Sequence, residues 1–258
     1  MSLSSPVKRF TKNVVLLFCT VIVAGCATNS GGSGGAIYDP NEDRNRKVHA
    51  FNVSLDKKFV RPIATEYSSA LPDVIEDSIS NFASNLGQPS ILVNSVLQGD
   101  LQGVSLSATR FLTNSILGVG GLFNTAEKLG LKEHDTDFGE TLYKWGAEEG
   151  EYVELPLLGP ATIRSTTGII VDLLINPLSY AVSSPETYYG TLASTSAGLS
   201  ARGRYTSSID SILYESADSY AQARLIYLQN RRFSLGDEGS FLSADDPYSD
   251  PYEDPYAQ

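Results

Sequence analysis

Apolar residues recur along the middle of this chain in steps of three and four. From Asp73 to Asn85 the pattern puts Val74, Ile75, Ile79, Phe82 and Leu86 on one helical face, with Asp73 as N-cap and Gly87 as stop. The run from Ile91 to Leu117 spaces Val93, Leu97, Leu101, Val104, Ala108 and Phe111 along one stripe, with Asn94, Gln98, Gln102, Ser105 and Thr109 off it. Gly99 and Gly103 weaken that run, which reads as one helix or two. Ser216 to Arg232 predicts a last helix, with Tyr220, Ala223, Arg224, Tyr227 and Leu228 at helical spacing. Arg231 and Arg232 stand near its C-terminus, where cations suit the helix dipole. Strand-like alternation is short and best at Tyr152-Val153-Glu154-Leu155. The fold class is all-α.

Two more segments are apolar but interrupted: Ile116 to Phe123 by glycines, and Gly168 to Val182 by Asp172, Asn176 and Pro177. After residue 26 no apolar run approaches the ~20 residues of a membrane-spanning helix. Both segments suit helices or hairpins lying in one leaflet. The plainer alternative is buried core helices of a soluble protein.

The ends differ from the middle. Lys8, Arg9 and Lys12 precede a short apolar run, Val14 to Ala24, too short to span a bilayer and typical of an export signal. It ends Val23-Ala24-Gly25-Cys26, which resembles a bacterial lipobox and makes Cys26 the expected site of lipid attachment. Ala27, rather than an acid, follows Cys26; by lipoprotein sorting rules this directs the chain to the outer membrane, anchored on its periplasmic side. The division is therefore a signal peptide over 1–25, a lipid-anchored Gly/Ser tether over 26–36, one body over 37–233, and an acidic tail over 234–258. That tail holds seven acids and no base, repeats Asp-Pro-Tyr from Asp246, Asp250 and Asp254, and reads as disordered.

Composition narrows the chemistry. The formal charge is −11, and without the first 25 residues 16 basic side chains face 30 acidic ones. Nucleic-acid binding is excluded on that balance. At 41% hydrophobic the chain can build a core. Cys19 leaves with the signal, so no internal disulfide is expected. Only His49 and His134 are available as imidazole bases. Glu133-His134-Asp135-Thr136-Asp137 lacks the spacing of a zinc or calcium site and reads as a polar loop, so no metal is expected. Gly31-Gly32-Ser33-Gly34-Gly35 matches a nucleophile motif in form only, because it lies in the tether. No phosphate-cradling motif occurs, and no cofactor is expected. A non-catalytic lipoprotein follows. The rivals are a lipid hydrolase using His49 or His134 and a structural tether between envelope layers.

Motifs through the body carry a resemblance. They include Asp39-Pro40-Asn41-Glu42, Asn45-Arg46, Phe51-Asn52, Asp56, Arg61-Pro62, Asn81-Phe82, Asn85-Leu86 and Asn94 to Gly99. Arg110-Phe111, Asn114 to Gly118 and Gly121-Leu122-Phe123 follow. The densest block runs from Asp137 to Arg164, and a late one from Asp218 to Leu228. In these the chain resembles the VacJ/MlaA family of phospholipid-binding outer-membrane lipoproteins. It departs at Ser165 and Asn124, where the family favours acids.

The resemblance implies a ring-like helical domain lying in one leaflet beside a trimeric porin. Stranded phospholipids would pass through an amphipathic channel to a periplasmic carrier, which preserves lipid asymmetry. Gly118, Gly121, Gly139 and Gly146 are candidates for the lipid path, as are Trp145, at a lipid–water boundary, and Arg164, as a backbone clamp or phosphate contact.

Overall fold

The computed structural model describes residues 37–177 and 186–237. The export segment, Cys26, the tether, residues 178–182 of the second apolar segment and the Asp-Pro-Tyr repeats lie outside the described residues. The order begins with α1 (Glu42–Leu55), a π-helical turn (Asp56–Val60), α2 (Arg61–Ala70), α3 (Asp73–Gln98), α4 (Leu101–Ile116) and the short α5 (Thr125–Lys128). Next come α6 (Phe138–Lys144), β1 (Tyr152–Leu155), β2 (Gly159–Thr162) and α7 (Ile163–Ile175). The order closes with α8 (Glu186–Arg204), α9 (Thr206–Asp210), a second π-helical turn (Ser211–Glu215) and α10 (Ser219–Ser234). The body is helical, as the periodicity predicts. The predicted strand is β1, paired antiparallel with β2 in the register Tyr152 to Thr162 through Leu155 to Gly159.

Gly87 does not stop the helix that Asp73 opens. Helix α3 continues through Gly87 and Pro89 to Gln98, a length of ~39 Å at 1.5 Å per residue. Pro89 removes one helical hydrogen bond, but packing along α4 and α8 overrides the two local breakers. The N-cap is Pro72 rather than Asp73, with no side-chain cap. Gly99, at φ 71°, ends α3, and Asp100 caps α4 by accepting the Gly103 N–H. The long apolar stripe is thus shared between two helices. Helix α10 starts at Ser219, three residues later than predicted, because Asp218 caps it by accepting the Ala221 N–H.

The predicted apolar face of α3 is not its buried face. Val74 is 68% exposed, whereas Glu76, Asn85, Gln88, Asn94 and Ser95 are buried. Helix α4 buries Ser107, Arg110 and Asn114 and leaves Leu101 81% and Ile116 72% exposed. Among the described residues seven hydrophobic side chains are fully buried, four of them alanine, against seventeen polar or charged ones. A water-soluble body has the opposite distribution. Tyr152, Tyr220 and Leu228 form the conventional hydrophobic cluster, flanked by Tyr227, where α10 meets the hairpin.

Candidate functional site

Several of the buried polar groups pair across the seams between helices, whereas Asn85 Oδ1, Gln88 Oε1 and Ser107 Oγ find no partner. Asn94 Nδ2 donates to Asp172 Oδ1 at 2.7 Å, and its Oδ1 accepts the Thr141 hydroxyl at 3.0 Å. Gln98 donates to Thr136 at 2.7 Å and to Thr141 at 2.9 Å. These contacts join α3 to α6 and α7. Asn85 donates to Ser115 Oγ at 3.0 Å and joins α3 to α4. Burial pushes the Asp172 carboxyl above its ordinary pKa, against the pull of the Phe138 N–H and Asn94. Each such pair matters in this interior, since an unsatisfied buried group costs ~1–3 kcal/mol.

The outer surface is the complement. Ile116, Leu117, Val119, Leu122 and Phe123 all face outward, as do Ile169, Ile170, Leu173 and Leu174 of α7. The buried-core alternative for the two interrupted apolar segments is therefore corrected over 116–123 and 169–174. No helix among the described residues is long and apolar enough to cross a membrane. Val119, a β-branched residue, sits at φ 54° at the tip of the 116–123 turn. Gly118 and Gly121 permit that turn: a Cβ on Gly118 would lie 2.2 Å from the Phe123 carbonyl oxygen, and one on Gly121 would lie 2.6 Å from Asn85 Cβ.

The Asp137–Arg164 block places the other candidates. Gly139 lies where α6 crosses α7; a Cβ on Gly168 would come 2.4 Å from the Gly139 nitrogen. Gly146, at φ 85°, turns the chain after α6 in open space. Trp145 is more than half exposed and donates Nε1–H to the Leu97 carbonyl at 3.2 Å. Arg164 is buried, donates to the Ala147 carbonyl at 3.0 Å and lies 5.0 Å over the Tyr143 ring. Burial lowers its pKa, with the Glu149 carboxylate opposing. Ser165 instead joins the Thr162 cap of α7, and Asn124 caps α5 by accepting the Glu127 N–H.

Two asparagines the family pattern contains, Asn45 and Asn52, hold α1 against the hairpin by main-chain contacts. Asn45 donates to the Tyr152 carbonyl at 3.0 Å and accepts the Glu154 N–H at 3.1 Å. Asn52 donates to the Leu155 carbonyl at 2.9 Å and accepts the Leu157 N–H at 2.9 Å. Between them, on the same face, His49 lies 3.1 Å from Glu154 Oε1 and 3.1 Å from Ser219 Oγ. With Glu154 ionised, Nδ1 donates to it and Nε2 accepts the Ser219 hydroxyl. The order of groups is that of a hydrolase triad. However, Ser219 is absent from the cavity beside His49, and Asp218 occupies the adjacent Ala221 N–H, a donor an oxyanion would need. His134 lies elsewhere, 3.4 Å from Asp100. Asp137 is held by Arg231 at 2.7 Å; burial opposes its ionisation, but this pair keeps its carboxyl below the ordinary pKa. Among the described residues no three His, Cys, Asp or Glu side chains gather as a metal site.

The two π-helical turns meet over an ion cluster that the periodicity did not reveal. Arg202 of α8 pairs with Asp56 of the first turn at 2.8 Å and with Asp210 at 2.7 Å. Tyr214 of the second turn donates to Asp56, and Lys57 lies 5.7 Å over the Tyr214 ring. Beside this cluster is a cavity of about 250 Å³. The asparagine–histidine spacing in α1 was the available sequence signal, since positions 45, 49 and 52 share a helical face.

Polar groups buried along α3 and α4 behind exposed apolar side chains set this helical body apart from an ordinary water-soluble one. The chain belongs to the MlaA lipoprotein family, whose model matches residues 37–234. It is similar to the intermembrane phospholipid transport system lipoproteins MlaA of Shigella flexneri and Escherichia coli. Each is 33% identical over 232 residues, 88% of this chain and 90% of the relative. An uncharacterized protein of Rickettsia typhi is 41% identical over 145 residues, and the match spans 58% of that relative's length. A structure solved in work on the structural basis for maintenance of bacterial outer membrane lipid asymmetry has a TM-score of 0.66 and 33% identity, covering 76% of this chain and 98% of that one.

Proposed function

We propose that this protein removes phospholipids misplaced in the outer leaflet of the outer membrane. They would pass through an amphipathic passage in the helical body to a periplasmic carrier, maintaining lipid asymmetry. The observation that carries this reading is the inverted body, with seventeen buried polar or charged side chains behind a surface that includes Leu101, Ile116 and Leu173. Such a surface suits acyl chains, and a polar interior suits headgroups. The names of the Shigella and Escherichia relatives support the same reading. Cys26 carries the acyl anchor on the periplasmic side, and a trimeric porin is the neighbour in the membrane.

Deleting the gene should raise outer-leaflet phospholipid and sensitise cells to detergent, with rescue by the wild-type chain. Cys26→Ser should block palmitate labelling and fail to rescue. An unchanged outer leaflet in the deletion would overturn the reading. The line-up of Ser219, His49 and Glu154 gives the hydrolase alternative its one structural support. His49→Gln separates the two: transport predicts intact rescue and no change in phospholipid hydrolysis, whereas a hydrolase loses both.

A further inference from the structure

The cavity beside the π-helical turns is walled by Val53, Leu55, Val60, Leu157, Leu158 and Leu213, with His49, Asn52, Asp56 and Glu154 at its polar edge. Every one of these polar residues is engaged within the protein. His49 is held between Glu154 and Ser219, Asn52 by the hairpin backbone, Asp56 by Arg202 and Tyr214, and Glu154 also by the Tyr152 hydroxyl. The charges at that edge are already paired within the protein and the rest of the wall is aliphatic, which suits an apolar occupant.

Size limits the occupant further. A cavity of ~150 Å³ lined by apolar side chains accepts benzene. At about 250 Å³ this one is too small for a phospholipid and large enough for part of one chain. The entrance points the same way. Leu157 and Leu158 form the turn between β1 and β2, and both are largely exposed. Leu157 is held at φ 70°, a conformation that disfavours a side chain, with its N–H fixed on Asn52 Oδ1. The protein thus maintains two leucines outward at the lip of an apolar cavity.

We propose that this cavity is a seat for a single acyl chain, entered over Leu157 and Leu158 and lodged between α1 and the second π-helical turn. The proposal rests on the phospholipid-transport reading and adds where one chain of the cargo pauses.

The test uses the full acylated chain in vesicles containing phosphatidylethanolamine with a diazirine at the end of one acyl chain. After illumination, labelled positions are read by peptide mass spectrometry. The expected result is strong labelling of Val60 and Leu213, both only partly exposed, alongside exposed Ile116. Val53→Trp, which fills the cavity, should reduce label at Val60 and Leu213 at least fivefold and leave Ile116 unchanged. Leu158→Asp alters only the exposed lip and should have the same effect, so the outcome does not depend on a core substitution. Unchanged label at Val60 and Leu213 in both variants would overturn the seat. Label confined to Ile116 and the outer surface would also overturn it while leaving the transport reading intact; no label anywhere would overturn both.

Discussion

Two regions of this body solve burial in opposite ways. Around α10, Tyr152 and Tyr220 stack edge to face at 5.8 Å with Leu228 beside them, and charged pairs rim the cluster: Arg46 with Asp218, Arg224 with Asp39, Arg232 with Glu149. There the centre is three apolar side chains, with the His49–Glu154 pair buried beside it and Asp39 enclosed by Arg224. Along α3, α4 and α7 the centre is Asn85, Gln88, Asn94, Ser107 and Asn114, and leucines and isoleucines are outside. The contrast is between a region that buries aromatic rings and one that buries amides and hydroxyls. A substitution harmless in one region should be damaging in the other.

The largest expected effect tests the apolar exterior. Combining Leu101→Asp, Ile116→Asp and Leu173→Asp removes three strongly exposed apolar side chains from the surface proposed to meet lipid. Each buried leucine or isoleucine is worth ~1.5 kcal/mol or more, so vesicle partitioning of the unacylated protein should fall about a thousandfold. Flotation with liposomes measures this. In a water-facing region the same substitutions would change little, and undiminished partitioning would refute the contrast.

The second effect tests the polar interior. Asn94→Leu in a conventional core would be neutral or stabilising. Here it removes a partner from both Asp172 and Thr141. The expected loss is ~2–4 kcal/mol in denaturant unfolding, with the Asp172 carboxyl pushed further up. Tyr227→Phe, at the edge of the aromatic cluster, should cost much less, because it keeps the ring that packs there.

These two cases also explain what the sequence reveals and what it conceals. Periodicity marks where α3 and α4 carry apolar stripes but not which way the stripes face, since 3.6-residue spacing is the same for a stripe turned to a core or to lipid. Val74 and Ile75 share the predicted stripe, and the structure turns them outward. Gly87 and Pro89 are local breakers, and only the packing of α3 along α4 and α8, contacts distant in sequence, keeps the helix whole. Strand β1 was legible from its own alternation. Strand β2, with Gly159 and Pro160, has no strand propensity and exists through pairing. The cavity and the two π-helical turns leave no periodic trace, because they depend on Arg202 reaching Asp56 across 146 positions.

A third effect, at the helix crossing, is smaller. Gly168→Ala puts a Cβ 2.4 Å from the Gly139 nitrogen, so α6 and α7 must separate, at a cost of ~1–3 kcal/mol. Gly146→Ala meets nothing within 4 Å and should show only the strain of φ 85°, ~1 kcal/mol. Thermal melts rank the two. A larger loss at Gly146 would mean that its role is not confined to the backbone.

The smallest effect belongs to the region around α10 and is set by pH. Arg46, hydrogen-bonded to Asp218, lowers the Asp218 carboxyl to about 2, and the Ala221 N–H adds to the effect. A carboxyl whose folded pKa is depressed below its ordinary ~3.9 contributes its full stability above about pH 4. That contribution is lost as pH falls toward 2. Asp218→Asn keeps the helix cap, because asparagine accepts the same N–H, and removes only the charge. The side chain is 45% exposed, so solvent screening holds the pair to ~1 kcal/mol or less. Unfolding midpoints of wild type and Asp218→Asn should therefore differ slightly at pH 6, converge between pH 4 and 2, and coincide below. A difference that persists at pH 1.5 would show that the cap geometry, rather than the Arg46 pair, carries the contribution of Asp218 to α10.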